Sequence, residues 1–240
     1  MSNLMFEKIL NDTTNGSTDI LFKFLEFVRK VNPKMDELLV YIDDLNKKYY
    51  EMLVIRNGSQ RLFEYSKKFN NIPEAALILQ NEITAYNFQI LKNLQDQIDT
   101  FYDKVSLTIS NSLTLQFVLQ DLDFKEIYIM RSMPGGEGIY LFDKIPNSHL
   151  IEDERAASLI RSGVVDLVLM GCDGFKPNHS FINKIGSGEL CDAAEEFDIP
   201  VYILTNSLKE TVKLPKIKSN LFEEVPLTSN IRVITDSPQI

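Results

Sequence analysis

Apolar residues recur every three or four positions through the first hundred residues, and the period then shortens. Ile20, Leu21, Phe24, Leu25, Val28 and Val31 share one helical face behind Ser17, Thr18 and Asp19, which suit a helix start. Asn32-Pro33 closes that helix. A second begins near Lys34 and carries Met35, Leu38, Leu39, Ile42, Leu45, Tyr49, Met52 and Leu53 on one side. Asn57-Gly58-Ser59 predicts a break, and residues 60–69 a short third helix. Pro73 opens a long fourth with Leu79, Ile83, Ile90, Leu94, Ile98 and Phe101 inward. One-sided helices of this kind pack together as a bundle or cap.

From Lys104 the pattern is β-like. Residues 105–109 alternate, 113–120 read as a helix, and 124–130 as a strand. A glycine-rich turn at 133–138 follows, and 139–145 fits neither period. Residues 152–162 predict a helix. Residues 164–170 are apolar except for Asp166, the signature of a parallel strand covered on both faces. A polar loop, a helix at 188–197, a strand at 201–204 and a last strand at 231–235 complete the chain. Strands alternating with helices predict an α/β fold: a helical N-terminal domain at 1–102, then a Rossmann-like parallel-sheet domain at 103–240 with right-handed crossovers.

Charge and composition narrow the classes. A net charge of −9 and a pI near 4.9 argue against direct nucleic-acid binding, which needs clustered Lys and Arg. Cys172 and Cys191 have no paired spacing, and His149 and His179 lie in no ligand pattern, so neither a disulfide framework, a metal nor another cofactor is expected. No apolar run approaches the ~20 residues of a membrane span, and the N-terminus lacks a signal-peptide core, so a cytoplasmic location is expected.

Three polar turns follow predicted strands, at 108–112, 131–138 and 171–188. In a parallel sheet they gather at the carboxyl edge, where ligands sit. Amides at Ser110, Asn111 and Ser112, opening a helix, suit an anion, and Gly135-Gly136 offers a second turn. Asp173, Asn183 and Lys184 would meet the other end of a polar ligand. Each also has a plainer reading: a turn aspartate, a helix cap, a solvated charge. Cys172, after a buried strand, is either a nucleophile or core.

The same turns resemble those of the translation initiation factor 2B regulatory subunits and the related ribose-1,5-bisphosphate and 5-methylthioribose-1-phosphate isomerases. Gly171-Cys172-Asp173 with Asn183-Lys184-Ile185-Gly186-Ser187 is similar to the family's GAD…NKIGT, with Ser for the usual Thr. Residues 107–112 resemble its LTHCNS turn, 133–138 its RPxxxG, and 12–18 its D-x-x-x-G-S-T stretch. The resemblance implies a homodimer formed through the C-terminal domain, with initiation factor 2 as a partner and a phosphosugar or nucleotide as ligand. It also implies catalysis by a Cys and an Asp. Asp173 keeps the acid, but Ser110 stands at the Cys position, Ile109 at the preceding His and Met133 at the Arg. A serine hydroxyl without an activating base is too weak an acid to replace a thiol, and Met cannot clamp phosphate. Arg131, two residues before Met133, is the compensating cation. The implied ligand set is Asn111, Ser112, Arg131, Gly135, Gly136, Asn183, Lys184 and Gly186, with Asp173 and Ser110 at the catalytic positions. These departures favour a regulatory or binding protein; the alternative is a phosphosugar aldose-ketose isomerase using Asp173.

Overall fold

The computed structural model describes residues 2–237. Helices α1 (Ser2–Leu10), α2 (Ser17–Val31), α3 (Met35–Lys48), α4 (Leu53–Phe69) and α5 (Ile72–Gln95) come first. Their apolar stripes close on one core, in which Phe24, Leu25, Leu38, Leu45, Ile55 and Leu62 are fully buried. Each such side chain contributes about 1.5–3 kcal/mol. Asn32 takes the left-handed conformation that ends α2, and Pro33 follows it.

The break predicted at Asn57-Gly58-Ser59 does not occur: α4 runs through it. A Cβ on Gly58 would lie 2.5 Å from Leu21 Cδ2, so the bare backbone there lets α4 press against α2. Tight helix–helix contact offsets the roughly 1 kcal/mol that a helical glycine costs. Met52 and Leu53 begin α4 rather than ending α3, and α5 stops at Gln95, with Ile98 and Phe101 packing from the loop beyond it.

Strands β1 (Val105–Ile109), β2 (Glu126–Met130), β3 (Ser148–Ile151), β4 (Leu167–Met170), β5 (Gly174–Lys176), β6 (Ser180–Lys184), β7 (Val201–Leu204), β8 (Phe222–Pro226) and β9 (Ile231–Ile234) follow. Helices α6 (Leu113–Asp121), α7 (Glu137–Phe142), α8 (Ala156–Arg161) and α9 (Ser187–Glu196) lie between them. Six strands form a parallel sheet in the order β3-β2-β1-β4-β7-β9. Alternate residues face opposite layers. Leu107, Ile109, Val168 and Met170 pack with α8 and α9, while Ile127, Ile129, Leu167 and Leu169 pack with α6 and the second half of α5.

From β1 the chain winds outward to β3, then returns to place β4 on the other side of β1 and winds outward again to β9. The topological switch therefore lies between β1 and β4, where Ile109 pairs with Met170. Beside it, β5, β6 and β8 form a small antiparallel sheet from what the pattern shows only as loop. Among the described residues no helix is long and apolar enough to cross a membrane.

Candidate functional site

A cavity of about 50 Å³ opens at the switch point. Its walls are the start of α2 (Asn15, Gly16, Ser17, Thr18), the β1–α6 turn (Ser110, Asn111, Ser112), the end of β4 (Gly171, Cys172, Asp173), the end of β6 (Asn183, Lys184), Glu137 of α7, and Lys209 with Phe222. Helical and sheet-forming parts of the chain meet here.

Two helices point their N-termini at it. Gly16 caps α2 without a side-chain bond, which leaves first-turn amides without an intrahelical partner. Ser112 caps α6 through a long 3.5 Å contact from the Leu115 N–H. Both ends carry the positive pole of the helix dipole. Asp12 holds the α2 approach by accepting from the Thr14 and Asn15 N–H groups, each at 3.1 Å, and from Lys23 Nζ at 2.6 Å. Burial alone would raise its carboxyl, but these bonds outweigh it and hold the pKa at about 2.

Ser110 adopts a left-handed φ of 72°, and its N–H donates to Ser132 Oγ at 2.7 Å. Ser132 is held in turn by Asp153, which accepts from the N–H groups of Ser132 and Met133. Asn111 is buried, and its Oδ1 has no partner in the protein.

Asp173 is pinned through its backbone. Its N–H donates to Ile182 O at 2.8 Å, and its carbonyl accepts from the first amide of α4, Leu53 N–H, at 2.9 Å. Burial pushes its carboxyl above the usual range, and Lys209 and the Ser17 hydroxyl only partly counter this. The group therefore holds its proton more tightly than a free aspartate, as a general acid must. Neighbouring Cys172 is buried with its Sγ 3.2 Å from Thr205 Oγ1, and burial pushes the thiol up to about 11. It behaves as core, as does Cys191, pushed up to about 12.

Asn183 and Lys184 are neither a simple cap nor a solvated charge. The Asn183 amide donates to Ser187 Oγ at 2.9 Å, and Ser187 donates to Lys184 O at 2.6 Å. Lys184 is 2% exposed, with its Nζ 2.7 Å from Glu137 Oε1, while Glu137 Oε2 has no partner. Lys209, also buried, donates to the Cys172 carbonyl at 2.7 Å. Glu137, part of the glycine-rich turn, and Lys209 were not among the expected site residues. The signal for Lys209 was the turn after β7, one more strand end at this edge; for Glu137 it was the end of the glycine-rich turn.

Of the residues expected at the site, Asp173, Ser110, Asn111, Ser112, Asn183 and Lys184 converge on the cavity. Arg131, Gly135, Gly136 and Gly186 do not line it. Arg131 Nε sits 2.7 Å from Glu152 Oε1 on the surface, so it does not stand in for the missing clamp. Gly136 and Gly186 have positive φ and cap α7 and α9. Among the described residues no cluster of His, Cys, Asp and Glu has metal-binding geometry.

The sequence model of the Initiation factor 2 subunit family matches residues 4–236. The methylthioribose-1-phosphate isomerase of Ricinus communis is 26% identical over 234 residues, covering 88% of this chain and 59% of that protein. The chain spans 16–59% of the length of the first curated relatives it matches. Among solved structures, the translation initiation factor eIF-2B of Pyrococcus horikoshii OT3 superposes with a TM-score of 0.82 at 16% identity, covering 98% of this chain and 94% of that one. The 5-methylthioribose 1-phosphate isomerase of the same organism gives 0.76 at 17% identity, covering 98% and 83%. A chain of the tetrameric eIF2B-beta2-delta2 complex from C. thermophilum gives 0.64 at 15%, covering 98% and 88%.

Proposed function

The chain belongs to the Initiation factor 2 subunit family, and we propose that it acts there as a binding protein for a small phosphorylated ligand, a sugar phosphate or nucleoside monophosphate. The family holds both initiation-factor subunits and isomerases. What favours binding over isomerisation is the composition of the cavity: two helix N-termini and two buried lysines surround it, while no thiol is placed to move a proton. Ser110 occupies one wall as an ordinary alcohol, and Cys172 turns to Thr205. The ligand phosphate meets the amide groups of α2 and α6, whose dipoles favour a dianion. The helical domain contributes the start of α2 and Met52 to the cavity and the Rossmann-like domain the remaining walls, and the protein works as a homodimer with initiation factor 2 as its partner.

Purified protein titrated with ribose 5-phosphate or adenosine monophosphate should melt at a higher temperature, with about 2.7 kcal/mol of added stability at a hundredfold excess over Kd. Lys184→Ala should shrink that shift. A melting temperature unmoved by a broad panel of phosphate esters would sink the reading.

One observation favours the isomerase alternative: burial raises the Asp173 carboxyl above the usual range, the direction a general acid needs. Incubation with methylthioribose 1-phosphate and ribose 1,5-bisphosphate should yield no ketose. Turnover that disappears in Asp173→Asn would establish the alternative instead.

A further inference from the structure

The two cavity lysines are not equivalent. Lys184 Nζ is engaged by Glu137 Oε1 at 2.7 Å, so its charge is already neutralised. Lys209 has no carboxylate within 4 Å among the described residues, and its ammonium bonds only a neutral carbonyl. Lys209, which also lies in the field of Asp173 and Asp19 beyond ion-pair distance, and two helix N-termini remain to meet an anion, which matches a single phosphate. The two buried atoms left without partners at this site, Glu137 Oε2 and Asn111 Oδ1, are both acceptors. An ionised carboxylate accepts hydrogen bonds and donates none, so the ligand atom that satisfies it is a hydroxyl or amino group, not a phosphate oxygen. A buried acceptor left unmade is costly, which gives this match discriminating power.

Resting on the phosphate-binding reading above, we propose that Glu137 sets specificity: it selects a sugar monophosphate that offers a hydroxyl donor and rejects a bisphosphate. A second phosphate at Lys184 would have to displace Glu137, or lie beside its carboxylate with like charges in contact in a buried site.

Calorimetric titration of the full chain with ribose 1-phosphate, ribose 5-phosphate and ribose 1,5-bisphosphate tests this. The tighter monophosphate should bind at least tenfold more strongly than the bisphosphate. Glu137→Gln frees Lys184 for the second phosphate and should shrink that ratio tenfold or invert it. Glu137→Asp keeps the charge and should keep the preference. A wild-type protein that binds the bisphosphate as tightly as either monophosphate overturns the proposal, and that comparison needs no variant. So does a ratio unchanged in a folded Glu137→Gln protein. If none of the three sugar phosphates binds, the reading of the pocket as a phosphate site falls, and the selectivity falls with it.

Discussion

Two aspartates, Asp173 in the site and Asp12 on the approach to α2, are shifted in opposite directions, and each makes a distinct prediction about pH. Asp12 has a folded pKa of about 2, below its unfolded value of 3.8. Its contribution is therefore present above about pH 4 and is lost as pH falls through 2. A shift of this size is worth about 2.6 kcal/mol in full; since Lys23 is half in solvent, screening reduces it to about 1–2 kcal/mol. Unfolding free energies of Asp12→Asn from urea titration should lie below wild type by that amount at pH 7 and converge with it near pH 2. Parallel curves would remove the charge from the account. Asp173 runs the other way. Burial raises its folded pKa, so stability is intact below the unfolded value and falls as pH rises through the folded one. Asp173→Asn should therefore raise the melting temperature at pH 7, by about 2–4 °C for each kcal/mol recovered. The gain should disappear near pH 3.5. A destabilised Asp173→Asn at pH 7 would mean that the carboxylate is better satisfied than its surroundings indicate. A residue kept at a cost to stability is expected where a ligand, not the fold, uses it.

At the scale of elements, the site depends on how closely α2 approaches the β1–α6 turn. A Cβ on Gly16 would sit 2.6 Å from the Asn111 carbonyl oxygen, which is backbone and cannot swing aside. Gly16→Ala should cost about 1–3 kcal/mol by overpacking and should also weaken the thermal shift given by ribose 5-phosphate, because both anion-facing helix ends are displaced. A stability loss with an intact ligand shift would separate the packing role from the binding role. The same contact shows what the pattern of residues conveyed and what it did not. The alternating run at 105–109 and the nearly unbroken apolar run at 164–170 were legible as strands, and β1 and β4 are buried along their whole length, Ser106 and Thr108 included. β3 was not, since an edge strand reading Ser-His-Leu-Ile is only half covered. β5, β6 and β8 were hidden for a different reason. Their buried polar residues Ser180 and Lys184 are satisfied by partners distant in sequence, Glu224 and Glu137. Gly58 was misread because a glycine signals a break locally, while its cause here is a leucine on another helix. The strand-end rule found the β1 and β4 walls of the cavity; Arg131 and Gly135-Gly136 obeyed it as well, yet the turn after β2 is drawn away by Asp153 and by the capping of α7.

Across the whole molecule, a strap of irregular chain at 210–221 ties the far end of the sequence back to the helices. Glu51, buried at the end of α3's trailing turn, accepts from the N–H groups of Lys218 and Ser219 at 2.6 and 2.9 Å and from the Ser219 hydroxyl at 2.7 Å. Tyr50 adds its hydroxyl, 2.7 Å from the Lys216 carbonyl, and its ring lies 4.6 Å below Lys218 Nζ. Burial alone would raise the Glu51 carboxyl, but bonds from Lys218, Tyr50 and Ser219 hold it below the usual glutamate range. The strap leads directly into Phe222, which lines the cavity and pairs with Lys184 across β6 and β8. At about 50 Å³ the cavity has room for only a few waters, so a ligand the size of a sugar phosphate fits only if a wall moves. The strap joins two lining residues, Lys209 and Phe222, and has no helix or strand of its own between them; the charged hydrogen bonds to Glu51 are worth about 1.5–3 kcal/mol each. Glu51→Ala should therefore free it. Trypsin, which reaches the exposed Lys213, Lys216 and Lys218, should cut this segment about tenfold faster in the variant, with helical circular dichroism unchanged. Ribose 5-phosphate should slow the cutting in both proteins by holding Phe222 and Lys184 in place. Equal cleavage rates in wild type and Glu51→Ala would show that the strap is secured elsewhere; protection lost in the variant alone would show that the carboxylate couples the strap to the cavity.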